Sequence, residues 1–280
     1  AMENSCSVYI LCRNPKAVGE TADGLVALVT ETKGFSGNLG LAAFARGWVI
    51  AEEGQPGEAI EPMYQGISSY RATGSDAEVP HQLCVLAEVH CKAGQPAAAL
   101  RLLDEASTLM ARTGERWCEA ELHRRRGIAL LALPNPTNGG AEACFERALT
   151  IAREQNARAW QLRAARDLGR LWSNQGKLAE ARELLESVYG LFTEGFDMPD
   201  LREAKALLVD LRDGETGREL RGALREVDGL ARTSQTFVVD LQGLIERLNR
   251  TTDNLQALTD GLRQRPSSLL FSDPAPPRPA

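Results

Sequence analysis

The sequence predicts an all-α fold: a solenoid of stacked helix pairs followed by one long helix with a heptad pattern. Three observations lead to this prediction. Leu and Ala supply most of the 43% apolar residues and β-branched residues are scarce, which favours helices over strands. Small residues recur at steps of 40 to 42 positions through the first part of the chain. Apolar or small residues then recur in alternating steps of three and four between 220 and 262.

Composition and charge exclude several classes of protein. The 280 residues carry a formal net charge of −6, which argues against a nucleic-acid partner held by a basic surface. No apolar run approaches the roughly 18 residues of a membrane span, and the N-terminus has no secretory signal pattern. The six cysteines are irregularly spaced and form no C-x-x-C motif, so we expect reduced thiols in a cytoplasmic protein.

The repeat contains two sets of small residues, one in each helix of a pair, separated by turn signals such as Gly-Gln-Pro at 54–56 and 94–96. Two helices can approach closely only where one of them presents Gly or Ala. Gly and Pro in the turn end one helix and start the next. We therefore predict eight structural repeat positions: Gly47, Ala87, Gly127 and Gly169 in the first helices, and Ala59, Ala99, Ala141 and Ala181 in the second.

This arrangement resembles the tetratricopeptide (TPR) repeat, although the period exceeds the 34 residues of that family and aliphatic residues replace most of its aromatic ones. The resemblance implies a right-handed α-solenoid of four TPR-like repeats with a capping helix over 38–212, after a partial N-terminal repeat or cap over 1–37. Residues 188–208 also resemble the end of the TPR region in bacterial signalling proteins with nucleotide-cyclase and AAA-type ATPase domains. Because the sequence shows no counterpart of the catalytic domains of that family and no G-x-x-x-x-G-K-[ST] motif, we expect neither activity.

The tail carries the heptad pattern and is predicted to form homo-oligomers. We expect a coiled-coil-like helix over 213–265 and a proline-rich disordered tail over 266–280. A second apolar track beside the seam favours more than two strands. The residues expected at the contact are Leu230, Phe237, Leu241, Leu244, Ile245, Leu248 and Leu255. The segment from Leu262 to Phe271 resembles the C-terminus of MCE-type (mammalian cell entry) lipid-transport proteins, which implies lipid contact through the tail as an alternative.

The TPR resemblance also implies which residues face a binding groove, because the first helix of each repeat lines the concave surface in that family. The candidate partner-binding positions are Phe44, Trp48, Glu88, Lys92, Arg124, Arg163, Arg166, Arg170 and Asn174. Three of the arginines, at steps of three and four, share one helix face. They form either a solvated face or an anion-binding ledge, on which guanidinium forks would contact the carboxylates of an acidic peptide at two points.

No group of residues in the sequence points to catalysis, a metal ion or a cofactor. His81, Cys84, Glu88 and Cys91 form one helical stripe, but it spans roughly 15 Å, too far for a single zinc ion. His123 has no nucleophile or carboxylate placed to make it catalytic. We therefore predict a non-catalytic scaffold in signalling or regulation that binds a partner peptide or domain, with an acidic peptide as one candidate. Two alternatives stay open: an auxiliary subunit of an MCE-type lipid-transport system, and a regulatory fragment of a cyclase/ATPase signalling protein.

Overall fold

The computed structural model describes residues 2–32, 37–231, 248–257 and 260, and the regular secondary structure within them is helical. The helices are α1 (Met2–Leu11), α2 (Pro15–Thr32), α3 (Gly37–Glu52), α4 (Pro56–Arg71), α5 (Val79–Lys92), α6 (Pro96–Thr113), α7 (Glu119–Leu131), α8 (Asn138–Glu154), α9 (Arg158–Asn174), α10 (Leu178–Tyr189) and α11 (Pro199–Ala231). A further helical stretch covers 248–257. The prediction of an all-α solenoid of helix pairs is confirmed.

Glycine and proline determine the turns between the two helices of a pair. Gly54, between α3 and α4, has φ +91°, and Gly94, between α5 and α6, has φ +73°. Residues with a side chain are strained in this left-handed region, so glycine suits both positions. The next residues, Gln55 (φ −114°, ψ 55°) and Gln95 (φ −117°, ψ 55°), adopt nearly identical backbone angles. Proline then occupies the first position of α4 and of α6, where a missing N–H leaves no hydrogen bond unmade. The repeated sequence therefore produces the same turn twice.

Small residues lie where the two helices of a pair approach. A Cβ atom added to Gly127 would come within 2.5 Å of the Phe145 ring, and one added to Gly47 would be equally crowded. Gly169 is different, because an added Cβ would meet its nearest atom, the carbonyl oxygen of Ala181, at 3.6 Å. Close approach thus requires glycine at 47 and 127, whereas position 169 has room for a methyl group. The alanines predicted for these joints are buried: Ala59, Ala87, Ala99, Ala141 and Ala181.

The helices of the solenoid form two layers. From α1 to α10, each helix packs against the next along the chain. In addition, each odd-numbered helix from α1 to α7 packs against the following odd-numbered helix. We refer to α1, α3, α5, α7 and α9 as A helices and to the even-numbered ones as B helices. The A helices therefore form a continuous inner layer, and the B helices cover it from outside.

The apolar core consists of two main clusters that meet at α7. The first extends from α1 to α7 and includes Phe44 and Leu103, while the second extends from α8 to α11 and includes Phe145. Helix α7 contributes to both, because Leu122 belongs to the first cluster and Ile128 packs against the second. It therefore joins the two halves of the core.

The N-terminal region, which the sequence predicted as a partial repeat or cap, contains a pair of helices. α1 packs against α2, and α2 packs against α3, as the later B helices pack against the next A helix. Asn14 precedes α2, and its side-chain oxygen accepts the N–H of Ala17 at 3.1 Å, which stabilises the start of this helix. The region thus adds a helix pair ahead of the four predicted repeats.

The chain divides into two compact units, residues 1–215 and 216–280. Helix α11 continues without a break through position 212, where the sequence predicted the solenoid to end. Two contacts account for this difference. Arg182 donates to Glu215 at 2.6 Å, and the Cα of Gly214 lies close enough to Leu178 that an added Cβ would be 3.1 Å from its side chain. α11 is therefore held against α10 at least as far as Glu215.

Most of the tail residues predicted to form the oligomer contact lie outside the described part of the chain. They are the side chain of Leu230 and the residues Phe237, Leu241, Leu244 and Ile245, and the same holds for the segment 266–280. In the described stretch 248–257, Leu248 is half-buried and Leu255 is 44% exposed. Oligomerisation through the tail stays a prediction. None of the described helices combines the length and the apolar character that crossing a membrane requires.

Candidate functional site

A cavity of about 470 Å³ opens on the inner layer of the first unit, and we call it the groove cavity. The A helices α3, α5, α7 and α9 contribute most of its wall. Eight of the nine predicted groove positions line it: Trp48, Glu88, Lys92, Arg124, Arg163, Arg166, Arg170 and Asn174. The structure therefore brings together residues that are spread over more than a hundred positions of sequence.

Phe44, the ninth predicted position, does not line the groove cavity. Its side chain is 2% exposed and belongs to the first apolar cluster. A Cβ atom added to Gly66 of α4 would come within 2.8 Å of the Phe44 Cβ, so α3 and α4 are in close contact here. The prediction that Phe44 contacts a partner is wrong, because this close approach buries its side chain in the core.

Part of the lining of the groove cavity is apolar. It is formed by Trp48 from α3 and by Ile128 and Leu131 from α7. Trp48 is only 4% exposed and is held by the core, whereas Ile128 and Leu131 are half-buried. An aromatic and aliphatic wall of this kind can bury an apolar side chain of a ligand.

Most of the charged lining residues of the groove cavity belong to a buried ion-pair network centred on Glu121 of α7. Its carboxylate accepts hydrogen bonds from Arg124 at 2.7 and 3.0 Å and lies 3.3 Å from Arg125 and 3.7 Å from Arg163. Arg124 also donates to Asp167 of α9 at 2.7 Å. Because the Glu121 side chain is 1% exposed, these guanidinium groups replace the water that would otherwise solvate it.

The network continues across α9 to the start of α11. Arg163 donates to Asp200 at 2.7 Å. Arg166 donates to Asp167 at 2.9 and 3.0 Å and also to Glu203. Carboxylates on two helices therefore neutralise the arginine pair that α9 presents to the groove.

Two further residues complete the network at its edges. Glu88 of α5 accepts a hydrogen bond from Arg125 at 3.1 Å, and Arg13, in the turn between α1 and α2, pairs with Asp200 at 3.1 Å and Glu203 at 2.8 Å. The ion-pair network thus consists of Arg13, Glu88, Glu121, Arg124, Arg125, Arg163, Arg166, Asp167, Asp200 and Glu203. Its five arginines and five carboxylates balance, and Lys92, 3.4 Å from Glu88, adjoins it together with its own partner Glu52.

Burial and the arginines act in opposite directions on the carboxylates. Burial raises the pKa of Glu121, but the surrounding arginines, Arg124 foremost, outweigh it and hold this pKa well below its ordinary value. Burial also raises the pKa of Glu88, but the charges of Arg125 and Lys92 outweigh it and lower this pKa to about 2. Both carboxylates are therefore charged at neutral pH.

The stripe of potential metal ligands on α5 is divided between the core and the groove cavity. His81 and Cys84 are buried, at 3% and 0% exposure, while Glu88 and Cys91 line the groove cavity. Burial lowers the pKa of His81 to about 3, and its neutral ring packs against Trp117 with the ring centroids 5.0 Å apart. In the described part of the chain, no three His, Cys, Asp or Glu side chains are grouped to hold a metal ion.

The arginine face of α9 differs from both interpretations that the sequence left open. Arg163 and Arg166, at 5% and 7% exposure, form neither a solvated face nor an open anion-binding ledge. Carboxylates from α9 itself and from α11 already bind both guanidinium groups. Arg170, in contrast, is exposed, and among the described residues no ion pair involves it. Asn174 is exposed one turn further along the same face.

Several members of the ion-pair network were not among the groove positions predicted from the sequence. For one of them, the sequence contained a recognisable spacing. Arg125 follows Glu121 by four residues, a spacing at which opposite charges on a helix interact. Arg13 had no such signal, because 187 positions separate it from Asp200. Only the closure of the solenoid brings these two side chains together.

A tetratricopeptide repeat family model matches residues 161–190, which cover most of α9 and α10. Two solved structures of TPR-like repeats of a putative kinesin light chain from Podosopora anserina, one of them a variant with a single substitution, are similar to this chain. Their TM-scores are 0.49 and 0.48; both are 19% identical, and the likeness covers 77% of this chain and 95% of each of theirs. None of the curated proteins matches the chain.

Proposed function

We propose that the chain is a non-catalytic interaction scaffold that binds a partner peptide or domain in the groove cavity. TPR-like repeats support a protein–protein interaction scaffold in general, because stacked helix pairs leave a long inner surface for binding. The observation that carries the proposal is the groove cavity itself, in which the apolar wall at Trp48 adjoins charged side chains. Its volume of about 470 Å³ lies within the usual range of ligand sites.

The contact residues that we propose for the partner lie at the exposed rim of the groove cavity. Arg170 and Asn174 of α9 are exposed there, and Lys92 of α5 is half-exposed. Lys92 already pairs with Glu52 at 2.5 Å, so Arg170 supplies the positive charge for a ligand carboxylate. A partner segment that carries an acidic side chain near an apolar one would fit here. The acidic side chain would contact Arg170, and the apolar one would contact the apolar part of the lining.

Peptide selection on the full chain tests this proposal. A library of random peptides displayed on phage is selected against the immobilised protein, and the enriched peptides are synthesised. We expect acidic residues next to apolar ones in the enriched sequences. Arg170→Glu should then weaken their binding at least about tenfold, because it replaces attraction by repulsion.

Arg153→Glu serves as the matched control, because Arg153 is exposed on the B helix α8, away from the groove cavity. It makes the same change of charge and should leave the dissociation constants within about twofold of the original protein. Equal binding by the original protein and both variants would contradict a role for the rim. A library that yields no binding peptide would contradict the proposed function.

The remaining expectations about function rest on the sequence. The heptads of the tail support homo-oligomerisation, and we retain this together with a cytoplasmic role in signalling or regulation as part of the proposal. Two alternatives rest on sequence resemblance alone. The resemblance of 262–271 supports an MCE-type transport subunit, and the resemblance of 188–208 supports a cyclase/ATPase regulatory fragment. No observation in the described part of the chain favours either alternative.

A further inference from the structure

The turn between α1 and α2 forms part of the wall of the groove cavity. Arg13 reaches Asp200 at 3.1 Å and Glu203 at 2.8 Å, both on α11. Arg163 Nη2 of α9 donates to the carbonyl oxygen of Leu11 at 2.5 Å. We call residues 11–13 the clasp. These contacts join segments that are 152 to 190 positions apart in sequence, so the clasp connects the two ends of the solenoid.

The clasp separates two cavities. The groove cavity lies on one side and is lined by Arg13. A second cavity of about 460 Å³, lined mostly by apolar side chains, lies on the other side and is lined by Leu11 and Cys12. Arg163 and Asp200 line both cavities, and both residues bind the clasp. Displacement of the clasp would therefore turn the two cavities into one longer groove.

The clasp is held by polar contacts more than by packing. Leu11, Cys12, Trp160 and Met198 all line the second cavity, so their apolar surfaces here are not fully covered by other side chains. Atoms that face this pocket contact water there and not other side chains, so the clasp buries less apolar surface on this side. Arg13 itself has φ +55°, in the left-handed region that residues other than glycine rarely adopt. Incomplete packing and an unfavourable backbone conformation both make the clasp easy to displace.

When the clasp is displaced, the ion-pair network lacks the positive charge of Arg13. Four arginines would then face five carboxylates, with Asp200 and Glu203 nearest to the gap. Arg163 would also lose the carbonyl oxygen of Leu11 as an acceptor. Buried charges and donors without partners are costly. A group that replaces the clasp must therefore supply a cation at Asp200 and Glu203 and a backbone carbonyl at Arg163.

We infer that the clasp occupies the docking site of an external partner: a protein segment in which a basic residue closely follows apolar residues. The chain itself provides the pattern, with Ile10 and Leu11 followed by Arg13. The inference rests on the proposed function and deepens it, because it states the partner chemistry at the position of the clasp. The clasp and the partner compete for the same groups, so the clasp limits access to the site.

A peptide taken from this chain is the probe for this inference. It spans residues 5–15 with Cys6→Ser and Cys12→Ser, is acetylated and amidated at its ends, and carries a fluorophore for anisotropy measurements. The full-length Arg13→Gln protein should bind it at least about tenfold more tightly than the original protein. In the original protein the tethered clasp competes with the peptide at high effective concentration, and the substitution removes the cation with which the clasp competes. Lys16→Gln, which removes an 86% exposed cation from the neighbouring helix, should bind it like the original protein.

Two further measurements separate docking from a general loosening of the fold. The same peptide with Arg13→Gln should bind the Arg13→Gln protein at least about tenfold more weakly than the unchanged peptide, because it brings no cation to Asp200 and Glu203. Amide hydrogen exchange in the Arg13→Gln protein should rise in α1 and stay unchanged in α5 and α6. Cys12→Gly, which loosens the clasp without changing its charge, should shift peptide binding in the same direction as Arg13→Gln.

Peptide binding that is equal in the original, Arg13→Gln and Cys12→Gly proteins would overturn the inference, and so would binding that does not depend on the arginine of the peptide. If random-library peptides bind at Arg170 while the clasp peptide does not bind, the inference fails and the proposed function stands. If neither kind of peptide binds, both fail.

Discussion

Glu121 is the carboxylate at the centre of the ion-pair network in the inner layer. Its carboxylate is fully buried and contacts three arginines from α7 and α9. Such an arrangement adds less to stability than an apolar core of similar volume, but removal of one partner leaves the others buried and uncompensated. Glu121 therefore fixes how the charged side chains of α7 and α9 are arranged around the groove cavity.

Glu121→Gln should lower the free energy of unfolding by about 3–5 kcal/mol, because three buried arginines then lack one negative charge. Urea denaturation followed by far-UV circular dichroism measures this loss. Glu146→Gln, the same change at an exposed position on α8, should stay within about 0.5 kcal/mol of the original protein. Similar losses in the two variants would mean that the network does not hold these helices.

Glu88 makes the stability depend on pH. Its pKa of about 2 in the folded protein lies below the ordinary value of 4.5, so the unfolded chain binds its proton first as the pH falls. The stabilisation is complete above about pH 4.5 and is lost as the pH falls toward 2. Glu88→Gln should therefore reduce the difference in unfolding free energy between pH 5 and pH 3. Parallel pH dependence in the original protein and the variant would contradict this assignment.

At the level of helices, the small residues of the repeat do not all serve the same purpose. Gly127 lies against the ring of Phe145, and no larger residue fits there without movement. Gly169 occupies the corresponding place in the next repeat, but its surroundings leave space for a Cβ. The repeat pattern in the sequence is therefore more regular than the packing that it produces.

Gly127→Ala and Gly169→Ala should have opposite effects on stability. The first should cost about 1–3 kcal/mol, because the added methyl group displaces the Phe145 ring. The second should stabilise by about 0.5–1 kcal/mol, since alanine is the better helix former and its methyl group meets no close neighbour. Each variant serves as the control for the other in thermal and urea denaturation. Equal destabilisation would show that both joints are tightly packed.

At the level of the whole molecule, side chains rather than helix packing close the solenoid. Arg13, Arg163 and Asp200 link its first turn to its last helices. Cavities on either side of this link show that the surfaces there are not closely filled. Because these ion pairs are buried or partly buried, dissolved salt screens them less than it screens exposed surface pairs.

The tail is expected to associate copies of the chain. Leu255→Asp combined with Leu248→Asp should weaken this association, because charges within an apolar seam oppose it. Analytical ultracentrifugation of the full chain at tens of micromolar compares the double variant with the original protein. Asn254→Asp adds charge at an exposed position in the same helical stretch and should leave the association unchanged. A monomer in every case would mean that the heptads do not mediate self-association.

The sequence by itself determined the helix pairs and the turns, and eight of the nine positions that it predicted for the groove line the groove cavity. Each of these depends on spacing within one repeat: Gly54 and Gly94 end helices locally, and Trp48 or Arg170 follows the register of its own helix. The tertiary structure alone decided the electrostatic character of the groove. Arg163 and Arg166 look like free cations in the sequence, but they are neutralised by Asp200 and Glu203, which reach them only when α11 packs against α9. Ion pairs between distant segments leave no periodic trace, because they depend on where the solenoid closes and not on any local repeat.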